Sequence, residues 1–180
     1  MGKIFYIADL HFGHANIIKL SNRPFDSVDE MDEALINNWN KVVSDNDRVY
    51  IVGDFSFSRD VDKYISRLTG EKFLIKGNHD KDITKKFQYR QKFVDIKDIY
   101  RVYDGDNKIV LCHYPLVEWD GFFRGVKHFY GHIHNNTENA TYQIMKSIPN
   151  AYNVGADILD YTPREYDEVV WYNQKFDDKH

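Results

Sequence analysis

Five short apolar runs in this chain each stop at polar side chains. Ile4-Phe5-Tyr6-Ile7-Ala8 runs into Asp9-Leu10-His11, and Val49-Tyr50-Ile51-Val52 into Gly53-Asp54. Lys72-Phe73-Leu74-Ile75-Lys76 runs into Gly77-Asn78-His79-Asp80, Ile109-Val110-Leu111-Cys112 into His113, and His128-Phe129-Tyr130 into Gly131-His132-Ile133-His134. Runs this short, rich in β-branched and aromatic residues, read as buried strands. A strand that ends in polar residues, often behind a glycine, delivers them to the sheet edge where open α/β sheets hold their ligands. The two-residue period of a strand puts Asp9 with His11, and His132 with His134, on one side.

The stretches between these runs have a different period. Ala15 to Leu20 predicts a short helix. Ser27 and Glu30 have capping-box spacing, and Met31, Ala34, Leu35, Trp39 and Val42 recur at helical intervals up to about Val43. Val61, Tyr64, Ile65 and Leu68 predict a shorter helix stopped by Gly70, and Thr84 to Phe93 predicts another of weak pattern. Val94-Asp95-Ile96 and Ile99 to Tyr103 read as β structure, with a hairpin signal at Asp104-Gly105-Asp106-Asn107. Thr162-Pro163-Arg164-Glu165 predicts a capped last helix to about Gln174. Alternating strands and helices giving way to consecutive strands suggest two packed sheets with helices outside, the first partly parallel and the second mainly antiparallel. No repeat or linker divides the chain, so residues 1–180 are expected to form one domain.

A chain of 180 residues buries roughly 70% of its unfolded surface, enough for a real core. A net charge of -4 and a pI near 6.0 argue against a protein held to nucleic acid by bulk charge. The lone Cys112 excludes an internal disulfide framework and suits a reducing cytosol, so a cytoplasmic location is expected. No apolar stretch approaches the roughly 20 residues of a membrane span, and Met1-Gly2-Lys3 does not open a signal peptide.

Asp9, His11, Asp54, Asn78, His113, His132 and His134 offer nitrogen and oxygen donors only, a set suited to Mn, Fe, Zn or similar divalent ions. Seven donors are too many for one ion. If one carboxylate bridges, they divide into two four-ligand sets, the composition of a two-metal hydrolytic site. Two dications against two carboxylates leave positive charge that suits a phosphate oxyanion.

The order Asp-x-His, Gly-Asp, Gly-Asn-His-Asp, His, Gly-His-x-His, running from Asp9 to His134, resembles the calcineurin-like metallophosphoesterase superfamily. The resemblance implies a four-layer αββα sandwich of two mixed β-sheets flanked by helices. It implies a first ion held by Asp9, His11, Asp54 and His134, and a second by Asp54, Asn78, His113 and His132, with Asp54 bridging. Manganese leads the candidate metals, with Fe, Zn, Ni and Co behind it. The resemblance makes His79 a general acid or phosphate contact and Asp80 its orienting partner. In one departure, Gly53-Asp54 is followed by Phe55-Ser56-Phe57, where many members carry an aspartate.

The expected activity is hydrolysis of a phosphodiester of nucleotide or cyclic-nucleotide type by a metal-activated water, with His79 assisting the leaving group. A compact chain without an inserted cap leaves an open cleft, which favours diesters. Phosphomonoesterase and dinucleoside-polyphosphate hydrolase activities remain open on the same site. A non-enzymatic scaffold of the same fold would be marked by lost ligands, and none is lost. His14, three residues past His11, and Arg23, before Pro24, are candidate substrate contacts, since arginine clamps phosphate. Trp119, Phe122, Phe123, Phe129 and Tyr130, with Arg124 and Lys127 among them, read as core first and as a base-stacking surface second. The expected partner is a nucleotide-like phosphate ester, with the protein a monomer or homodimer and no membrane contact.

Overall fold

The computed structural model describes residues 2–180. Strands β1 (Ile4–Ile7), β2 (Arg48–Ile51), β3 (Glu71–Ile75) and β4 (Asp95–Lys97) form one sheet in that order. Every neighbouring pair in it is parallel. Strands β5 (Ile99–Asp104), β6 (Asn107–Cys112), β7 (Lys127–Tyr130) and β8 (Ala151–Asn153) form the other, again in chain order. Here β5 and β6 are antiparallel, but β6–β7 and β7–β8 are parallel. The mainly antiparallel second sheet and the only partly parallel first sheet are therefore corrected. The foreseen hairpin exists, pairing Asp104 with Asn107. The chain between the later strands is long and returns each strand to the same end, as a parallel crossover requires.

Alternation along the strands divides the core into layers. Phe5, Ile7, Val49, Ile51 and Leu74 face outwards to helices α1 (Ala15–Leu20), α2 (Val28–Val42) and α3 (Asp62–Ile65), which contribute Ile17, Met31, Leu35, Trp39, Tyr64 and Ile65. Tyr6, Ala8, Tyr50, Val52, Phe73 and Ile75 face the other sheet and meet Val102, Ile109, Leu111 and Phe129. Between β3 and β4 the expected single helix is two short ones, α4 (Lys81–Lys85) and α5 (Phe87–Arg90). On the far side, Tyr130 packs under Tyr142 and Met145 of α6 (Ala140–Lys146). Helix α7 (Tyr166–Asp177) inserts Val169 into the middle layer. Helices, sheet, sheet and helices make the four layers. Trp119, Phe129 and Tyr130 are core, with Trp119 Nε1 donating to Val126 O, while Phe123 is exposed.

Two helix starts differ from the pattern. Ser27 Oγ accepts from Glu30 N–H, but the Glu30 carboxylate accepts from Asp26 N–H and not from its capping partner. Helix α7 is capped at Glu165, three residues after the expected Thr162 cap. The backbone of Arg164 lies extended against β1, exchanging hydrogen bonds with Tyr6 at 2.9 and 3.1 Å, so Glu165 and Glu168 form the capping box instead.

The parallel strands decide where the polar residues go. β1, β2, β3, β6, β7 and β8 all end at one rim. The sheets are stitched there, Ala8 N–H donating to Val154 O at 2.7 Å and Ala156 N–H to Ala8 O at 2.8 Å.

Candidate metal centre

β1 stops at Ile7, so Asp9 and His11 do not share a face by strand alternation. Both take left-handed backbone, with φ of 55° and 53°, as do Asp54 at 53°, His132 at 72° and His134 at 51°. Non-glycine residues occupy this region at a cost, and such strain gathers where a loop must aim a side chain. The correction is local: the same residues converge, by tight turns and not by pleat. The turns also bring backbone close to the carboxylates. A Cβ on Gly77 would overlap Asp54 Oδ1, and one on Gly131 would sit 2.5 Å from Asp9 Oδ2.

Each carboxylate uses one oxygen to hold a neighbouring loop. Asp9 Oδ2 accepts from His132 N–H and Asp54 Oδ1 from His79 N–H, both at 2.9 Å. The other oxygens face inwards. Asp9 Oδ1 is buried and has no hydrogen-bond partner among the described residues. Asp54 Oδ2 lies 3.6 Å from His11 Nε2 and 3.5 Å from His113 Nε2, between the two expected sets.

The imidazoles are oriented from behind. His113 Nδ1 lies 2.9 Å from Val52 O, an atom that only accepts, so Nδ1 carries the proton. Its Nε2 then turns a lone pair towards Asn78 Oδ1 at 3.1 Å and Asp54 Oδ2 at 3.5 Å. Lone pairs converge there without a hydrogen between them, an arrangement a cation resolves. His134 Nδ1 likewise meets Asp157 Oδ2 at 2.7 Å, the carboxylate–histidine pairing that orients metal-binding imidazoles. Neither ring nitrogen of buried His11 has a hydrogen-bond partner among the described residues. Burial holds the His11 ring far below its ordinary pKa. Burial also pushes Asp9 up to about 6, against the pull of His134 and His113. Buried polar atoms without partners are rare, and a bound ion explains them.

One atom each from Asp9, His11 and His134 lies within 4.8 Å of the others, and so does one each from Asp9, Asp54 and His113. His132 adjoins the second group, its ring 5.1 Å from that of His113. All seven expected donors thus stand at one rim, and together they fit two divalent ions.

Two other candidates, Asp80 and Arg23, sit differently from expectation. The Asp80 carboxylate accepts from the backbone N–H groups of Asp54 and Gly77 at 2.8 Å and of Phe55 at 2.9 Å. It ties the β2 and β3 loops together and does not orient His79. The Arg23 side chain is fully buried, so it is no phosphate clamp. It donates to Asp9 O at 2.6 Å and Leu10 O at 3.0 Å, and its Nε lies 2.8 Å from Asp157 Oδ1. His14 stands at the rim, stacked on Phe57 with ring centroids 4.1 Å apart and an interplanar angle of 12°. His79 has a 40% exposed side chain with Nε2 4.0 Å from Asp54 Oδ2.

Asp157 was not foreseen. It follows Ala151-Tyr152-Asn153-Val154-Gly155, a sixth run ending in glycine, which the polar Asn153 hides. Asn153 accepts from Gly155 N–H and donates to His134 O, so the run forms an edge strand whose amide serves the loops.

A four-layer αββα sandwich with oxygen and nitrogen donors from five strand ends defines a protein with a candidate divalent-metal centre. The chain belongs to the calcineurin-like phosphoesterase family, whose sequence model matches residues 2–159. It is 37% identical over 178 residues to the protein MJ1445 of Methanocaldococcus jannaschii, covering 94% of this chain and 90% of that one. It is 36% identical over 85 residues to the gene 66 protein of Mycobacterium phage L5, 44% of this chain and 41% of that one. Among solved structures, the AQ665 protein of Aquifex aeolicus superposes with a TM-score of 0.75 at 26% identity, covering 95% of this chain and 99% of that one. Among the described residues, no helix is long and apolar enough to cross a membrane.

Proposed function

We propose that the protein hydrolyses phosphodiesters of nucleotide type, with one divalent ion held by Asp9, His11, Asp54 and His134 and a second by Asp54, Asn78, His113 and His132. The observation that carries this reading is the convergence of His113 Nε2, Asn78 Oδ1 and Asp54 Oδ2 with no donor between them. When bound, such ions polarise the phosphoryl oxygens and lower the pKa of a water. The chain supplies the rest. Val52 O and Asp157 fix which nitrogen His113 and His134 present. Asp80 and Arg23 hold the backbone that aims Asp54 and Asp9.

His79 is held by its backbone N–H on Asp54 Oδ1 while its imidazole stands partly exposed at the rim, beside the Phe57 ring. From there it donates a proton to the departing alkoxide, help typically worth about 10²–10⁴-fold. The exposure of His79 and His132 leaves the centre open, with room for both substituents of a diester. Chelator-treated protein should lose hydrolysis of bis(p-nitrophenyl) phosphate and regain it with Mn²⁺. Full turnover by protein shown to be metal-free would refute the proposal.

A further inference from the structure

We infer that a cavity beside His79 binds a nucleobase on the departing side of the substrate, an inference that rests on the phosphodiesterase reading. The cavity, about 180 Å³, opens between the loop after β2 and helix α4 and is lined by Ser56, Phe57, Ser58, His79, Asp82 and Ile83. His79 belongs to both places: its Nε2 lies 4.0 Å from Asp54 Oδ2 while its ring lines the cavity. The oxygen that takes a proton from His79 therefore carries its substituent to the mouth of this cavity.

Three features define what fits there. The volume is below the roughly 300–1,000 Å³ of pockets that enclose whole drug-sized ligands, so the cavity takes a single ring system. Phe57 is half exposed, yet its ring is braced by the parallel His14 ring and by His79, with centroids 4.1 and 5.1 Å away. A fixed aromatic face of this kind stacks any base. The floor is apolar, from buried Val61 and Ile83, whereas Asp82 adds a carboxylate to the lining. A carboxylate only accepts at neutral pH, so the site favours a base with an amino group.

The test uses two arms. In the first, metal-free protein is titrated with deoxyadenosine and followed by NMR. Wild type should show saturable shifts centred on residues 56–58 and 79–83, weakened about tenfold or more by Phe57→Leu, a loss in the range of one base stack. In the second, Mn²⁺-loaded protein is given a deoxyadenosine dinucleotide and the methyl ester of deoxyadenosine 3′-phosphate, which differ in whether the departing alcohol carries a base. Phe57→Leu should lower kcat/KM for the dinucleotide about tenfold or more relative to any loss it causes on the methyl ester, because the Phe57 ring also packs on His79. Equal losses on both substrates, no loss on either, or deoxyadenosine binding that ignores Phe57 would overturn the inference. If neither substrate turns over but deoxyadenosine still binds through Phe57, the base site stands and the hydrolytic reading falls.

Discussion

Arg23 gives the most direct test of how this centre is held. Its guanidinium donates to Asp9 O and Leu10 O and lies against Asp157, whose other oxygen meets His134 Nδ1. Both side chains of the ion pair are fully buried. Replacing Arg23 with Met leaves a buried carboxylate uncompensated, and breaking such a pair costs about 3–5 kcal/mol, a large share of the roughly 5–15 kcal/mol that holds a domain together. It also frees the left-handed turn at Asp9 and lets His134 reorient. Loss of an outer partner of this kind weakens metal binding about 10–100-fold.

The two effects separate in the double variant Arg23→Met/Asp157→Leu. No unpaired charge stays buried there, so part of the lost stability should return. His134 still lacks its anchor and the Asp9 turn its restraint, so metal affinity should stay low. Urea unfolding of metal-free protein measures the first quantity, and calorimetric titration with Zn²⁺ or Mn²⁺ the second. Wild-type metal affinity in the single variant, or recovery of affinity together with stability in the double, would show that the Arg23–Asp157 pair serves packing alone.

Other outcomes follow from the same geometry. His79→Gln should cut turnover of a nucleotide diester much more than that of bis(p-nitrophenyl) phosphate, whose leaving group needs little protonation, with both metals retained; equal losses would remove His79 as the proton donor. Gly77→Ala puts a methyl group into Asp54 Oδ1, so folded, purified protein should bind fewer than two ions by metal analysis, and full occupancy would contradict the close packing seen there. His128 is buried, its Nδ1 against Val110 O and its Nε2 accepting from Leu116 N–H, and burial lowers its pKa to about 4. Between that value and the ordinary 6.5 the unfolded chain binds the extra proton, so stability should fall by about 3 kcal/mol as pH drops through this window. Urea midpoints for wild type and His128→Gln check this, and an equally steep decline in the variant would assign the slope elsewhere.

The strand ends were legible in the sequence because a buried strand is a contiguous apolar run, and its stopping point marks the sheet rim without knowledge of the partner strand. Sheet direction was less legible. Ile109 to Cys112 and His128 to Tyr130 look alike whether paired parallel or antiparallel, and only the long chain between them hints at a crossover. Arg23 was assigned to phosphate binding, which its residue type favours, and Asp80 to orienting His79, which the family resemblance implies. Nothing local reveals that both side chains turn inwards, because their partners are main-chain groups of Asp9, Leu10, Asp54, Phe55 and Gly77, which leave no mark in a residue pattern, and the side chain of the distant Asp157. Asp157 stayed hidden for the same reason that β8 did: an edge strand of three residues with a polar Asn153 lacks the apolar signature of a buried one.

The double use of the two carboxylates bears on how the centre tolerates change. Asp9 holds the His132 loop and Asp54 the His79 loop, each with the oxygen it does not turn inwards. A side chain that only supplied a ligand atom could be lost with its own coordination bond alone. Here the loss of Asp54 also releases the backbone N–H of His79, and the loss of Asp9 that of His132. Substitution at either aspartate therefore disturbs a histidine on a different strand end. Five of the expected ligands sit in left-handed backbone that relaxes once its restraints go. The rim behaves as one interlocked unit, in which removing a carboxylate disorders more of the site than removing a histidine such as His11, whose ring nitrogens make no bond to any other loop.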